Sequence, residues 1–270
     1  MRVIMTTFPV LLFLLLFQCV KGQYHAIHIP ESQLSKMKID GDSSDWNWMP
    51  REKYTSRVSM TEFLWGPPVG VDSLNFKFAV GWNEITNRIY VQGIVYDKKR
   101  GPASIRVNPH WWFGDCMELM CNPQSNVLEG RALKYRFTFP VANKPDEISL
   151  DIGPAWVKES KTDIEFAGRL WKAKDGSYVA VYEISISLWD IWDKRGPAFS
   201  KRHQLADNQQ FPFGIWFDND TYQDQELLAQ WSTSRIQQAF KNPFELSRFV
   251  MDAPVGKEES WSGINRVLMP

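Results

Sequence analysis

The segment Leu74-Asn75-Phe76-Lys77-Phe78-Ala79-Val80 alternates large apolar residues with polar or small ones. Successive side chains of a β-strand point to opposite faces, so Leu74, Phe76, Phe78 and Val80 would share one face. The same period recurs in Ile89–Val95, Leu133–Phe139, Ile164–Leu170, Tyr178–Ile184 and Gln210–Phe217. Many short strands separated by turns, without a long amphipathic helix, predict an all-β chain. We expect a two-sheet antiparallel β-sandwich of the immunoglobulin or jelly-roll kind.

The first 22 residues differ from the rest of the chain. Arg2 precedes an apolar run from Phe8 to Phe17, and small residues precede Gln23. This pattern is typical of a secretory signal peptide, and the run is short for a membrane span. An uncleaved anchor, or a lipid on Cys19, is the alternative. We therefore predict a signal peptide over 1–22, a loosely ordered lead-in over 23–38, one domain over 39–270, and an extracellular or periplasmic protein.

Charge and motifs narrow the class of function. The 31 basic and 31 acidic side chains cancel, which argues against a nucleic-acid-binding surface. The sequence contains no nucleophile elbow, phosphate-binding loop, dinucleotide fingerprint or His-Glu-x-x-His zinc motif. Carboxylates are plentiful, so counting residues leaves a glycosidase open. Cys116 and Cys121 lie five residues apart in a strand-like segment, on opposite faces, and this separation is too long for a disulfide.

Several motifs occur in the order typical of one family. They are Ile39-Asp-Gly-Asp-x-x-Asp-Trp46, Gly81-Trp-Asn83 with Ile89-Tyr-Val91 and Val95-Tyr-Asp97, Trp112-Phe-Gly-Asp-Cys-Met-Glu118, Tyr135-Arg-Phe137, Gly176-x-Tyr178 with Tyr182-Glu-Ile184, Gly214-Ile-Trp-Phe-Asp-Asn-Asp220 and Phe240-Lys-Asn-Pro243. The chain from about Ile39 to Ser247 resembles the family 9 carbohydrate-binding modules, relatives of the DOMON-type β-sandwiches. The resemblance implies a domain that binds sugars at chain ends between two aromatic rings, with calcium ions ordering its loops.

The resemblance also implies a set of sugar-binding residues. Trp112 matches the first aromatic platform, and Phe240 stands where the family has a second tryptophan. Glu118 and Arg136 match the positions that bind sugar hydroxyls, and Gln237 matches a nearby polar position. A phenyl ring offers less stacking area than an indole, so Phe240 is a departure. The alternative for Glu118 and Arg136 is a salt bridge between neighbouring strands.

Two acidic groups are candidate calcium ligands. They are Asp40, Asp42 and Asp45 in the opening motif, and Asp218 and Asp220, with Asn219 between them, in what reads as a loop. Calcium takes six to eight oxygen ligands, and carboxylates supply them well. Turns and caps are rich in aspartate for local reasons, so the residues alone favour a turn. The structural calcium is implied by the resemblance.

Together these features predict a secreted, monomeric, non-catalytic protein that binds the ends of oligosaccharides or polysaccharides, alone or beside a glycoside hydrolase. Neither a nucleic-acid partner nor a membrane span is expected. One alternative is a haem-binding DOMON-type domain for electron transfer, which needs axial ligands such as His110 or His203. Another is a sandwich scaffold that has lost its ligand, which the replacement at Phe240 favours.

Overall fold

Strands β4 (Leu74–Asn83) and β5 (Arg88–Asp97) form an antiparallel hairpin, and the alternation of Leu74–Val80 and Ile89–Val95 predicts both strands. The computed structural model describes residues 23–64, 67–98, 115–123, 132–138, 147–160, 162–220, 227–236 and 239–254. The other strands within these ranges are β1 (Tyr24–His28), β2 (Thr55–Ser56), β3 (Thr61–Leu64), β6 (Cys116–Cys121), β7 (Leu133–Thr138), β8 (Glu147–Ile152), β9 (Ile164–Lys172), β10 (Tyr178–Ile186), β11 (Trp189–Ile191), β12 (Lys201–Arg202), β13 (Gln210–Asp220), β14 (Leu227–Ser232) and β15 (Arg248–Met251). The predicted all-β fold is confirmed.

Helical elements are short. The α-helices are α1 (Glu31–Leu34) and α2 (Ala155–Glu159). The 3₁₀ helices cover Ser43–Trp46, Arg51–Lys53, Arg57–Ser59, Pro197–Phe199, Ala239–Lys241 and Pro243–Glu245. Among the described residues, no helix has the length and hydrophobicity needed to cross a membrane.

The strands form two layers. Sheet I has the order β1-β4-β5-β10-β9, with β2 beside β4. Sheet II has the order β8-β7-β6-β13, with β14 pairing β13 and β3 pairing β14. Strand β15 pairs with β13 and with β1 and so links the layers into one hydrogen-bonded path, while β11 and β12 form a separate pair. The result is a sandwich whose layers share edge strands.

Strand β1 departs from the expected pattern. It lies inside the lead-in that we expected to be loosely ordered, and it runs parallel to both β15 and β4. The other pairings between described strands are antiparallel, so the sheet is mixed rather than purely antiparallel. Only five residues belong to this strand, and its buried residues are Ala26 and His28. So short a run has too few alternating positions to predict a strand from sequence.

Aromatic side chains from both layers meet in the core. Phe76 of sheet I stacks on Phe217 of sheet II with ring centroids 4.3 Å apart, and Trp231 meets Phe76 edge-on at 5.4 Å. Burial of this aromatic surface is the main favourable term for such a fold. Cys116 and Cys121 are free, buried thiols on opposite faces of β6, which confirms the interpretation of their spacing.

Candidate functional site

Strands β6, β7 and β13 carry a buried polar cluster on the side of sheet II that faces away from the core. On β6 the odd-numbered residues Met117, Leu119 and Cys121 join the core, so the even-numbered ones point the other way. The register places Glu118 opposite Arg136 of β7. On its other side Glu118 lies opposite Trp216 of β13. Glu118 and Arg136 therefore face each other across neighbouring strands.

Glu118 and Arg136 form a buried ion pair. Arg136 Nε donates to Glu118 Oε1 at 3.0 Å, and Lys134 Nζ lies 3.0 Å from the same oxygen. Glu118 is fully buried and Arg136 is 2% exposed. Burial alone would raise the pKa of Glu118, but the Lys134 and Arg136 cations outweigh it and hold that pKa below its usual value. The salt-bridge alternative thus describes the geometry in the absence of a ligand.

Asp218 belongs to the same buried cluster. Its Oδ1 accepts a hydrogen bond from Gln230 Nε2 at 2.6 Å, and its Oδ2 accepts one from Cys116 Sγ at 3.3 Å. Arg136 Nη2 lies 3.6 Å from Asp218 Oδ2. Burial and the nearby Glu118 carboxylate raise the pKa of Asp218 to about 7. The prediction of a loop here was wrong, because residues 218–220 continue strand β13.

Two polar atoms on this face have unused hydrogen-bonding capacity. Within the described part of the chain, Glu118 Oε2 and the indole Nε1 of Trp216 are buried without a hydrogen-bond partner. One is an acceptor and the other a donor, and their residues are direct neighbours across two strands. An unsatisfied buried polar group is costly, so a hydroxyl that bonds such an atom would be favourable.

An apolar cluster adjoins the polar one and positions a third segment. Met120, Trp216 and Leu246 pack with Ala132 and Ala239. Ala239 opens the 3₁₀ helix Ala239–Lys241, whose middle residue is Phe240. The backbone of Phe240 therefore lies beside the face that carries Glu118 and Arg136. The side chain of Phe240 lies outside the described residues, as do Trp112 and Gln237, so their part in the site stays a prediction.

The opening loop uses its carboxylates locally. Asp40 Oδ1 accepts the Asp42 amide at 2.9 Å, Asp42 Oδ1 accepts the Ser44 amide at 3.0 Å, and Asp45 Oδ2 accepts the Lys38 amide at 2.8 Å. Asp42 caps the 3₁₀ helix Ser43–Trp46. This is the turn-and-cap arrangement that the residues alone favour.

Glu183 is a fourth carboxylate near this loop, and the sequence did not predict its position. Glu183 Oε2 of β10 accepts the amides of Asp40 at 3.1 Å and Gly41 at 2.8 Å. Its Oε1 is buried without a hydrogen-bond partner among the described residues. Burial and the carboxylates of Asp40 and Asp45 outweigh the two amides and raise the pKa of Glu183 to about 7. No local signal marks Glu183, because it is 142 residues from Gly41.

The described residues contain one tight group of three metal-binding side chains, Cys116, Glu118 and Asp218, with ligand atoms within 4.8 Å of one another. Arg136 and Lys134 already neutralise these carboxylates, which disfavours a metal cation there. The side chain of Asp220 lies outside the described residues. Lys134, Cys116 and Gln230 were also missed by sequence reasoning, although Lys134 stands two residues before Arg136 in the same strand.

His203, one of the candidate haem ligands, has hydrogen-bond partners for both nitrogens of its ring. Its Nδ1 lies 2.6 Å from Asp190 Oδ1, and its Nε2 lies 2.8 Å from Gln209 Nε2. Gln209 Oε1 accepts the Ala206 amide, so the Gln209 amide donates to Nε2 and His203 is the tautomer protonated at Nδ1. Both ring nitrogens are therefore occupied. His110 lies outside the described residues.

Comparison with known proteins identifies the fold. A family 9 carbohydrate-binding module from Caldicellulosiruptor kristjanssonii in complex with cellotriose superposes with a TM-score of 0.57 at 13% identity, covering 92% of this chain and 98% of that one. A second, in complex with glucose, gives 0.51 at 13% identity over 86% and 96%. No protein-family model and no curated protein sequence matches the chain. The chain therefore has the β-sandwich fold of the family 9 carbohydrate-binding modules.

Proposed function

We propose that the protein is a secreted, non-catalytic carbohydrate-binding domain that holds a sugar chain end on the outer face of β6, β7 and β13. The fold supports this, because the two similar structures are carbohydrate-binding modules in complex with cellotriose and with glucose. The signal-peptide pattern over 1–22 supports export and is tested by determining the N-terminus of the exported protein.

The observation that carries the proposal is the unpartnered oxygen of Glu118. One oxygen is held by Arg136 and Lys134, while Oε2 is buried without a hydrogen-bond partner among the described residues. A sugar hydroxyl donates to such an oxygen and accepts from an indole N–H such as that of Trp216. In this proposal Glu118 and Arg136 bind hydroxyls, and Trp112, Gln237 and Phe240 complete the site.

The arrangement of carboxylates supports binding without cleavage. Glycosidases separate two carboxyl groups by about 5–9.5 Å to leave room for the sugar carbon and the nucleophile. An oxygen of Glu118 and one of Asp218 lie within 4.8 Å of each other, and both residues contact Arg136. Both carboxylates are paired with the same cation, which favours binding over catalysis.

Calorimetry with glucose, cellobiose, cellotriose and xylo-oligosaccharides tests the proposal. We expect Glu118→Gln to weaken binding by about tenfold or more, since it removes a charged acceptor. Glu165→Gln, a half-exposed carboxylate on sheet I, is the matched control and should bind as the wild type does. Absence of binding heat for the folded, calcium-loaded wild type with every sugar would refute the proposed function.

The scaffold alternative has an observation in its favour. Glu118 and Arg136 are almost completely buried, so a sugar reaches them only if the chain covering them opens. The indole N–H resonance of Trp216, assigned with Trp216→Phe, distinguishes the two functions. Sugar binding at this face shifts that resonance during a titration. A scaffold without a ligand leaves it unchanged at millimolar sugar.

We also propose that calcium orders the opening loop, held by Asp40, Asp45 and Glu183. The three carboxylates influence one another electrostatically, and Glu183 has a free oxygen, so a hard cation would relieve their repulsion. Calcium should raise the thermal midpoint of the chelator-treated wild type and have a smaller effect on Glu183→Gln. Identical midpoints in calcium and in chelator would contradict a structural calcium.

A further inference from the structure

The outer face of sheet I carries a second aromatic surface, on a different layer from the buried cluster of sheet II. Register places Tyr96 of β5 beside Val179 of β10, and Val179 beside Trp171 of β9. Tyr96 is 43% exposed and Trp171 is 41% exposed, while Val179 is buried between them. The three residues form a row, which we name the aromatic row. Two strand spacings separate its ends, about 10 Å.

The neighbouring row of the same sheet is apolar in the middle and cationic at its ends. It runs from Lys77 through Ile94 and Val181 to Arg169. Ile94 and Val181 pack with Val179 into a small apolar cluster beside the two exposed rings of the aromatic row. The Arg169 guanidinium lies 5.9 Å from the centre of the Trp171 ring. The aromatic row therefore lies on three paired strands, β5, β10 and β9, rather than on a loop.

Positive charge predominates around the aromatic row. The exposed or half-buried cations on this face are Lys77, Lys98, Arg169 and Lys174. Within the described ranges none of these four forms an ion pair. Two exposed carboxylates interact electrostatically with these cations: Asp42 with Arg169, and Asp175 with Lys98. The cations outnumber these acids, so the surface suits an anionic ligand.

We propose that this face is a second carbohydrate-binding surface, for an extended polysaccharide that carries carboxylate groups. The apolar faces of sugar rings stack on aromatic side chains, and the spacing of Tyr96 and Trp171 is comparable to the length of a disaccharide unit. Arginine and lysine pair with carboxylates beside the stacked rings. The inference rests on the proposed function only for the class of ligand, since it uses different residues on the opposite sheet.

Native electrophoresis through gels containing polygalacturonate tests the surface. The wild type should be retarded, and the Tyr96→Ala/Trp171→Ala double variant should bind with a dissociation constant higher by about tenfold or more. Phe199→Ala, which removes an aromatic ring that is 55% exposed elsewhere, should be retarded like the wild type. Gels containing neutral hydroxyethyl cellulose should retard the wild type less than polygalacturonate does.

Three outcomes overturn this proposal: no retardation of the wild type, equal retardation of the double variant, or stronger retardation in the neutral gel. A wild-type dimer that the double variant dissociates in sedimentation velocity also overturns it, because a second copy then covers the aromatic row. Glu118→Gln separates the two proposals, since it should keep its retardation while losing oligosaccharide binding. Retardation by polygalacturonate without any oligosaccharide heat supports this surface and refutes only the site at Glu118.

Discussion

Two acidic regions of the molecule use their carboxylates in opposite ways. In the opening loop Asp40, Asp42 and Asp45 each accept a backbone amide from within seven residues. In the buried cluster the hydrogen bonds of Glu118 to Arg136, and of Asp218 to Gln230 and Cys116, span 18, 12 and 102 residues. The carboxylates that are close in sequence, Asp40, Asp42 and Asp45, stabilise a turn. Glu118 and Asp218, which are far apart in sequence, form the candidate site.

The contrast has an energetic side. An exposed carboxylate that accepts an amide keeps much of its hydration, so its replacement changes little. A buried charge has lost its hydration and depends on its partner, so removing that partner is costly. Four substitutions test this difference between the regions, in decreasing order of expected effect.

Arg136→Met should have the largest effect. It leaves Glu118 and Asp218 buried with Lys134 as the nearest remaining cation, and we expect the free energy of unfolding to fall by about 3–5 kcal/mol. Urea denaturation measures the change. Arg195→Met is the matched control, since it breaks an exposed ion pair with Asp193 and should leave the midpoint unchanged. Equal effects of the two substitutions would contradict the contrast.

The pH dependence of stability should reveal Asp218. Its pKa is raised to about 7 in the folded protein, so the folded state holds a proton that the unfolded chain releases near pH 4. Stability from this group is complete below about pH 4 and declines as the pH rises to about 7. Asp218→Asn should remove that decline, on the order of 4 kcal/mol, in urea denaturation at several pH values, while the parallel contribution of Glu183 remains. The exposed control Asp72→Asn should retain the wild-type slope; the same slope in Asp218→Asn would disprove the assignment.

Gly41→Ala tests the opening loop at its backbone. Gly41 has φ of 79°, and a Cβ there would lie 3.1 Å from Arg169 Cβ and 3.2 Å from the carbonyl carbon of Gly168. We expect a loss of about 1–2 kcal/mol, measured by urea denaturation. Gly70→Ala, where a Cβ meets nothing within 4 Å, should be close to neutral. A neutral Gly41→Ala would mean that the loop relaxes without cost.

Asp42→Ala should have the smallest effect of the four. The substitution removes the side-chain cap of the Ser43–Trp46 helix, but Asp42 is solvent-exposed and its carboxylate bonds a neighbouring amide. Its thermal midpoint should fall less than that of Gly41→Ala. Asp42→Asn retains a capping oxygen and should recover most of the loss. A fall as large as that of Arg136→Met would show that this carboxylate has a distant partner.

Local pattern predicted much of the architecture. The alternating segments that begin at Leu74, Leu133, Ile164 and Gln210 are all strands, and β6 carries its two cysteines on opposite faces. The alternative of a salt bridge between Glu118 and Arg136 on neighbouring strands also matches the structure. Each of these features depends on neighbouring residues, because the side-chain period of a strand is a property of the local backbone.

The sequence by itself thus determined the longer alternating strands, their inward faces and the turn chemistry around Asp40–Trp46. Tertiary structure alone decided that β1 runs parallel to β4 and β15, and that Glu183 meets the Gly41 amide. It also decided that Glu118 and Asp218 share one cation in a buried cluster. The physical reason is that the alternation of a strand depends only on consecutive residues. The register between strands about 100 residues apart depends on the packing of the whole core.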